Sequence, residues 1–222
     1  MKKKWIDTMF LSLMSLFCLA LFVARAVWTG KPQYAFLNWN LFLAAIPWGA
    51  TTAAKLLPKK ASYAAMVILF PVWLIFFPNS PYILTDLYHI GMYPGIPNWL
   101  DLIHILCYAW TALLFGFFSL MDLEEFLGGF MGRFLPKACS AAFLFLAGFG
   151  VYLGRTLRWN SWDILSAPKN MLQSIWTMAS NPLSNKDAWG MTILLGLFLN
   201  AVYISIHLFV SMRVANNKPQ RA

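Results

Sequence analysis

Two pairs of polar side chains in this sequence are spaced so that each pair could do chemistry together. Asp86 and His89 are three residues apart in PNSPYILTDLYH, and Arg155 and Arg158 are three residues apart in GRTLRWNSWD. On a helix, this spacing places both side chains on one side. A carboxylate beside an imidazole suits acid–base chemistry, and two guanidinium groups suit the binding of phosphate or carboxylate.

The residues around the first pair predict a short helix with one polar stripe. Ser80 followed by Pro81 is a typical helix start, with the hydroxyl as N-cap. Polar side chains then recur at i, i+3, i+4 and i+7, which places them on one side of the helix. They are Tyr82, Thr85, Asp86 and His89. The plain alternative is an interfacial helix whose polar stripe faces water.

The second pair is followed by a group of polar and aromatic residues. Asn160 and Ser161 are alternative N-caps for a helix that runs through Asp163. The arginines either form an anion site with these groups, or extend to lipid headgroups, or pair with Asp86, Asp101 or Asp163. The candidate catalytic residues are Asp86, His89 and Asp101. The candidate ligand-binding residues are Asn79, Tyr82, Thr85, Arg155, Arg158, Asn160 and Asp163.

A repeated Asp-Leu-X-His-Ile motif raises the question of a metal site. It starts at Asp86 and again at Asp101, so that two carboxylates and two imidazoles could hold zinc or manganese. The spacing matches no recognised zinc signature, and His104 lies at the start of an apolar run. We therefore predict no metal and no other cofactor.

The composition shows what kind of fold must position these residues. Hydrophobic residues make up 60% of the 222 and charged residues only 11%, whereas soluble domains are about 45–50% apolar and about 25% charged. This excludes a soluble enzyme domain, a disordered chain and a disulfide-stapled module. The basic residues lie at the ends of apolar runs and form no nucleic-acid patch. The sequence therefore predicts an integral membrane protein, with the lipid bilayer as its surroundings and no nucleic-acid partner.

Six apolar stretches are close to the roughly 20 residues that a membrane-spanning helix needs. They are residues 6–27, 37–57, 61–77, 102–121, 138–154 and 190–210. The prediction is thus an all-α single transmembrane domain over residues 1–222, with six transmembrane helices. Two longer polar segments, 78–101 and 155–189, contain every candidate site residue and are expected to form short interfacial helices on the outer face.

The first apolar stretch also has features of a signal peptide. Lys2–Lys4 precede it, and Ala24, Arg25 and Ala26 imitate a small-residue cleavage site. The apolar run is longer than the roughly 7–15 residues of a signal peptide, and the cleavage site contains a charge. An uncleaved membrane span is the favoured interpretation.

The basic residues predict the orientation, because cytoplasmic loops carry an excess of Lys and Arg. With the N-terminus inside, 11 of the 17 basic residues lie on the inner side. These are Lys2, Lys3, Lys4, Lys55, Lys59, Lys60, Arg133, Lys137, Arg213, Lys218 and Arg221. Both termini are therefore predicted to be cytoplasmic, and segments 78–101 and 155–189 to face outward.

The motifs also resemble a known family. PNSPYILTDLYH at 78–89, WLD at 99–101 and GRTLRWNSWD at 154–163, in that order among apolar spans, are similar to the bacterial membrane-protein family called domain of unknown function 1361. The resemblance covers about residues 60–212 and implies a multi-pass protein of the bacterial cytoplasmic membrane. His104 is not part of the family pattern. The signature falls on Asn79, Pro81, Tyr82, Thr85, Asp86, His89, Trp99, Asp101, Arg155, Arg158, Asn160, Ser161, Trp162 and Asp163.

Three functions remain open at this point. The first is an outward-facing site for an anionic lipid headgroup or envelope precursor. The second is a non-catalytic structural component that binds a protein partner, and the third and weakest is a metal-dependent membrane enzyme. The complementary charges of the two outer segments predict that Asp86 contacts Arg155 or Arg158 at about 2.7–3.2 Å. The surrounding pocket is expected to be walled by Tyr82, Trp99, Trp159 and Trp162.

Overall fold

A bundle of long helices makes up the structure, a computed structural model that describes residues 2–93, 96–132 and 134–216. Arg133, Lys218 and Arg221, which enter the orientation count, lie outside these residues. All regular secondary structure in the described ranges is helical. The helices are α1 (Lys2–Thr29), α2 (Ala35–Lys55), α3 (Lys59–Phe76), α4 (Asn79–Tyr82), a 3₁₀ helix (Ile83–His89), α5 (Asn98–Met131), α6 (Leu135–Arg155), α7 (Asp163–Ser166), α8 (Pro168–Ser180) and α9 (Lys186–Asn216).

Five helical stretches in the described part of the chain are long and apolar enough to cross a membrane. They are Lys4–Thr29, Lys59–His89, Asn98–Met131, Leu135–Arg155 and Lys186–Leu208. They agree with five of the six predicted spans and with the assignment as a membrane protein. The predicted span 37–57 is the helix α2, which is not among the five.

The composition and the packing of α2 explain this difference. Two asparagines and an internal Pro47 interrupt its apolar sequence. Neighbouring helices bury much of its surface, because α2 packs mainly against α3 and α5, and Leu37, Ala44 and Ala54 are completely buried. A helix covered by protein needs a less apolar surface than one covered by lipid.

The central helix of the bundle is α5, which packs against α1, α2, α4 and α6. One core cluster surrounds its first half, with Ile105 and Tyr108 among its buried residues, and a second surrounds its last half, with Phe117 and Leu120. Because α5 is in contact with most of the other helices, the polar residues on it are held from several sides.

The first helix, α1, contacts α5 along a stripe with a seven-residue repeat. Its members are Lys4, Leu11, Cys18 and Arg25. Both ends of the stripe form ion pairs with α5, Arg25 with Asp101 and Lys4 with Asp122, so the two helices run antiparallel. We call the end with Arg25 the site end and the end with Lys4 the lysine end.

The short helices α7 and α8 follow α6 at the site end. In α8, Met178 is buried against Leu153 and Ala188, whereas Leu172 and Trp176 are exposed. The sequence predicts that Leu172 and Trp176 lie in the membrane interface, and their exposure leaves them available for that contact.

Candidate functional site

Two glycines allow the segment that carries Asp86 to sit deep between α5 and α6. A Cβ atom on Gly116 would lie 2.6 Å from Cβ of Ser80, and one on Gly150 would lie 2.6 Å from Cβ of Pro78. Real Cβ atoms do not approach that closely, so both positions need glycine for this packing. Close helix packing at small residues is common in membrane proteins.

The segment itself differs from the predicted helix. The helix begins at Asn79 after Pro78, so Ser80 is not its N-cap, and Ser80 Oγ instead donates to the carbonyl of Ala44 at 3.3 Å. After one α-turn the chain tightens into the 3₁₀ helix. Residues three apart are eclipsed in a 3₁₀ helix, and this places His89 directly beside Asp86.

Asp86 lies at the centre of the candidate site and is 1% exposed. One carboxylate oxygen, Oδ1, accepts a hydrogen bond from Nη1 of Arg155 at 3.1 Å, and the other, Oδ2, accepts one from the side-chain amide of Asn40 at 3.0 Å. The contact predicted between Asp86 and Arg155 is therefore confirmed. Both oxygens of the carboxylate are engaged within the protein.

Arg155 connects several parts of the 3₁₀ helix. Its Nη2 donates to the carbonyl of Thr85 at 2.5 Å and lies 3.3 Å from Nδ1 of His89. The guanidinium carbon is 5.7 Å from the centre of the Tyr82 ring and 5.7 Å from that of Tyr88. The last residue of α6 thus fixes the position of the whole segment, and His89 is part of that contact.

Arg158 does not join Arg155, contrary to the prediction that the two converge. The α-helix ends at Arg155, and Arg158 has a φ of 60°, in the left-handed region. The three-residue spacing brings side chains together only if the helix continues. Arg158 is exposed at the surface just before Trp159 and Asn160.

Asp101 is also buried, but it forms a separate pair. Its Oδ1 accepts bonds from Nε and Nη2 of Arg25 at 3.2 and 2.8 Å, and its Oδ2 accepts the Tyr34 hydroxyl at 2.9 Å. Tyr34 also lies close to the Asp86 segment, since its hydroxyl is 2.6 Å from the carbonyl of His89. Asp101 therefore has a structural role beside the site and no free oxygen for acid–base chemistry.

The asparagines of the two segments form a second set of contacts. The Asn79 amide donates to the hydroxyl of Ser161 at 2.9 Å, which joins the two predicted outer segments.

Asn160 does not cap α7 with its side chain; its backbone N–H donates to Asp163 at 2.7 Å. That hydrogen bond is the main cause that lowers the pKa of exposed Asp163 below its ordinary value. Asp163 contacts neither arginine among the ion pairs of the described residues.

A cavity of about 330 Å³, which we call the site cavity, opens beside these residues. Its polar lining includes Asn40, Asn79, Asn160 and Ser161. Tyr82, Trp159 and Trp162 line it, together with apolar residues of α2, α3, α6 and α8. Asp86, Arg155 and Arg158, which the predicted pocket was to bring together, do not line it. Trp99 does not line it; this side chain at the start of α5 is exposed elsewhere.

The described residues contain no group of three His, Cys, Asp or Glu side chains placed to hold a metal ion. Asp86 uses both oxygens on Arg155 and Asn40, and Asp101 is enclosed by Arg25 and Tyr34. These are the two carboxylates that the repeated motif offers, and each is occupied by donors from the protein.

Sequence reasoning missed three residues that hold the site, namely Arg25, Tyr34 and Asn40. Arg25 carried a signal, because it continues the seven-residue spacing of Lys4, Leu11 and Cys18. Asn40 was visible as a polar residue in an apolar stretch, but its partner was not. Tyr34 has a φ of 64°, an unusual conformation that no residue pattern indicates.

Comparison with known families identifies the chain more firmly than its motifs alone. Comparisons with curated proteins and with solved structures give no match. The sequence model of one family, described as Protein of unknown function (DUF1361), matches residues 39–202. The match covers most of the chain and includes every candidate site residue from Asn79 to Asp163. The chain therefore belongs to the DUF1361 family.

Proposed function

We propose that this protein binds an amphipathic ligand with an anionic headgroup, a membrane lipid or an envelope precursor, in the site cavity. The observation that carries the proposal is the division of the cavity wall. Apolar side chains such as Leu43, Leu74 and Phe149 form most of the lining, and a few polar side chains complete it. Pockets that hold small ligands are typically apolar with a few polar groups that fix orientation.

The polar part of the lining still offers hydrogen bonds of both kinds. The Asn79 amide donates to Phe76 and Ser161 but keeps its carbonyl oxygen as an acceptor. The Asn160 amide donates to Asp163 and keeps one further N–H as a donor. These groups suit the oxygens of a phosphate or sugar headgroup. In this proposal they orient the ligand, while the apolar wall accepts part of its hydrocarbon chain.

Positive charge next to the cavity residues in the sequence favours an anionic headgroup. Arg155 is neutralised by Asp86, but Arg158 is exposed and forms no ion pair with the described residues. It stands directly before the cavity residues Trp159 and Asn160. We assign the attraction of the anion to Arg158 and a positioning role to Arg155, which holds the Asp86 segment in place.

Lipid analysis of the protein tests this assignment. In mass spectrometry of lipids retained by the purified protein, one anionic species should be enriched, and Arg158→Gln should reduce that enrichment. Lys169→Gln is the matched control, because it removes an exposed positive charge on α8 that does not adjoin the cavity residues Trp159 and Asn160 in the sequence. Ile164→Trp, which fills the cavity, should displace the lipid. Equal lipid profiles in all four proteins would contradict the proposal.

The second candidate is a non-catalytic structural component that binds a protein partner. It is favoured by the burial of Asp86 and by the use of both its oxygens within the protein. Arg155→Gln distinguishes the two functions. If the network is only structural, this variant should lose stability and no ligand should be found in the parent protein.

The orientation proposed with this function places the site end outside and both termini in the cytoplasm. Single cysteines at Lys186 and Lys59 test it in a background that lacks Cys18, Cys107 and Cys139. An impermeant thiol reagent applied from outside should label position 186 and not position 59. Labelling at position 59 alone would invert the orientation.

A further inference from the structure

The site cavity has a polar lining without any charged side chain. Within the part of the chain that the structure describes, no Asp, Glu, Lys, Arg or His lines it. Its amides belong to Asn40, Asn79 and Asn160. Its volume of about 330 Å³ lies at the lower end of the about 300–1,000 Å³ typical of small-ligand pockets. A group bound there must be recognised by hydrogen bonds and packing.

The partners of Asn40 and Asn160 determine which way their amides point. The amide nitrogen of Asn40 donates to Oδ2 of Asp86 at 3.0 Å, and that of Asn160 donates to Oδ2 of Asp163 at 3.2 Å. An ionised carboxylate can only accept, so the nitrogen of each amide must face its acid. Each amide therefore keeps its oxygen as an uncommitted acceptor, together with one further N–H.

The amide of Asn79 is committed in the same way. Its nitrogen donates to the carbonyl of Phe76 and to the hydroxyl of Ser161, both at 2.9 Å. The Ser161 hydroxyl in turn donates its only proton to the carbonyl of Ile75 at 3.3 Å. Both N–H groups of Asn79 are thus in use, and only its oxygen can bind a further group.

The oxygens of these three amides are accessible. Among the described residues, the side-chain nitrogen and oxygen atoms that are both fully buried and without a partner belong to Trp48 and His104. The unpaired oxygens of half-buried Asn40 and Asn79 therefore have accessible surface, and Asn160 is an exposed residue. Since all three residues line the site cavity, these oxygens are available to a ligand there.

Three uncommitted amide oxygens favour a ligand group that donates hydrogen bonds. Phosphate oxygens are acceptors, so a phosphodiester would find no partner in them. The lining also offers neutral donors, the indole N–H groups of Trp39, Trp159 and Trp162. A hydroxyl donates and accepts, and a group with several hydroxyls can use both sets at once.

Aromatic rings provide packing for the same kind of group. The rings of Trp39 and Trp162 are 6.3 Å apart between their centres, with an interplanar angle of 60°, and both line the cavity. A sugar or a glycerol unit carries C–H groups between its hydroxyls. These C–H groups can pack on aromatic faces while the hydroxyls reach the amides.

We infer that the site cavity binds a neutral polyhydroxyl headgroup, a sugar or a glycerol unit, whose hydroxyls donate to the oxygens of Asn40, Asn79 and Asn160. This binding mode rests on the proposed function and narrows it. The hydroxyls occupy the cavity, and the anionic part of the same ligand stays outside the lining, near Arg158.

Three probes with one alkyl chain and different headgroups test the inference on the full-length protein. They are octyl glucoside, octylglycerol and octyl phosphate, added to protein in lauryldimethylamine oxide, a detergent without hydroxyls. At least one of the two neutral probes should raise the Tm in a saturable manner. Octyl phosphate should bind about tenfold more weakly, the equivalent of about two hydrogen bonds. The tighter of the two neutral probes identifies the headgroup as a sugar or a glycerol.

Three variants locate the effect. Asn160→Ala removes one amide oxygen, leaves the backbone N–H that holds Asp163, and should weaken binding of the neutral probe about fivefold, the contribution of one hydrogen bond. Asn170→Ala, which removes an exposed amide of α8 outside the lining, should not. Ile164→Trp fills the cavity and should abolish the Tm shift. A shift that Asn160→Ala and Ile164→Trp both leave unchanged would overturn the site.

The probe series also separates this inference from the proposed function. If octyl phosphate raises the Tm and neither neutral probe does, recognition of hydroxyls is wrong and the anionic site stands. Equal affinity for all three probes would show that the alkyl chain alone binds, and would also overturn it. If a neutral probe binds as expected but Arg158→Gln leaves the retained lipids unchanged, the anionic part of the proposed function is wrong and recognition of hydroxyls stands.

Discussion

The two ends of the contact between α1 and α5 use the same kind of ion pair in different surroundings. At the site end, the side chains of Arg25 and Asp101 are 1% and 0% exposed. At the lysine end, Lys4 and Lys55 are 16% and 18% exposed and share Asp122 beside a cavity. One end is closed and dry, and the other is open to solvent.

The difference follows from the chemistry of the basic residue. Arginine binds Asp101 through two nitrogens, Nε and Nη2, and a third, Nη1, donates to Gln33 at 2.7 Å. A planar guanidinium group tolerates burial in this way, whereas a lysine ammonium is more strongly hydrated and more mobile. We therefore regard the arginine pair as a fixed structural contact and the lysine cluster as one whose ammonium groups can also be solvated.

Breaking the buried ion pair between Arg25 and Asp101 should have the largest effect on the free energy of unfolding. Asp101→Leu leaves Arg25 buried without its carboxylate and should reduce the free energy of unfolding by about 3–5 kcal/mol. Unfolding in mixed micelles can measure this. The double variant Arg25→Met/Asp101→Leu should recover most of the loss, because an apolar pair replaces both charges. An unfolding midpoint equal to that of Asp163→Leu would contradict a closed pair.

A change in the packing of α4 at the site end should have the second-largest effect on the free energy of unfolding. Gly150→Ala places a methyl group against Pro78 and should cost about 1–3 kcal/mol, the usual range for overpacking. Gly190→Ala is the matched control, because a Cβ there meets no neighbour within 4 Å. Equal stability of the two variants would show that α4 moves away without cost.

Breaking the cluster in which Lys4 and Lys55 share Asp122 should have a smaller effect on the free energy of unfolding. Asp122→Asn frees two lysines that can turn towards solvent, so a loss of about 1 kcal/mol or less is expected, as for other partly exposed ion pairs. The loss should shrink further at high salt, whereas that of Asp101→Leu should not. Measuring both variants at low and high salt tests the contrast directly.

The smallest effect on stability should come from Asp163, which takes part in neither the Arg25–Asp101 pair nor the Asp122 cluster. Its lowered pKa means that the ionised form is stabilised in the folded state. The stabilisation is present above the ordinary pKa of 3.8 and is lost as the pH falls through the lower, folded-state pKa. The Asn160 amide resonance should follow this titration with a midpoint below 3.8. Asp163→Asn should abolish the titration, and a midpoint above 3.8 would contradict the hydrogen bond.

Much of this organisation could be predicted from the sequence. Long apolar runs are a strong signal, so five spans were predicted in the right places. Complementary charges on the two segments were enough to predict that Asp86 contacts Arg155 or Arg158, and the partner is Arg155. Both predictions depend on features that the sequence shows directly, namely length, hydropathy and sign of charge.

The partners that come from distant helices could not be predicted in the same way. Arg25 lies 76 residues before Asp101, and Asn40 lies 46 residues before Asp86. Only the folded bundle brings such residues together. The convergence of Arg155 and Arg158 was wrong for a local reason, because it assumed that α6 continues past Arg155. No glycine or proline follows Arg155 to mark the end of α6, so the end is difficult to locate from sequence.

The seven-residue stripe on α1 also determines how the protein fits its membrane. Arg25 and Lys4 are 21 residues apart, as are Asp122 and Asp101, which corresponds to about 31 Å along each helix at 1.5 Å per residue. The hydrocarbon core of a bilayer is about 30 Å thick. The charged ends of both helices therefore match both boundaries of the hydrocarbon at once. A markedly thinner bilayer would force the helix pair to tilt, and a thicker one would draw charge into the lipid, so this protein is matched to a membrane of ordinary thickness.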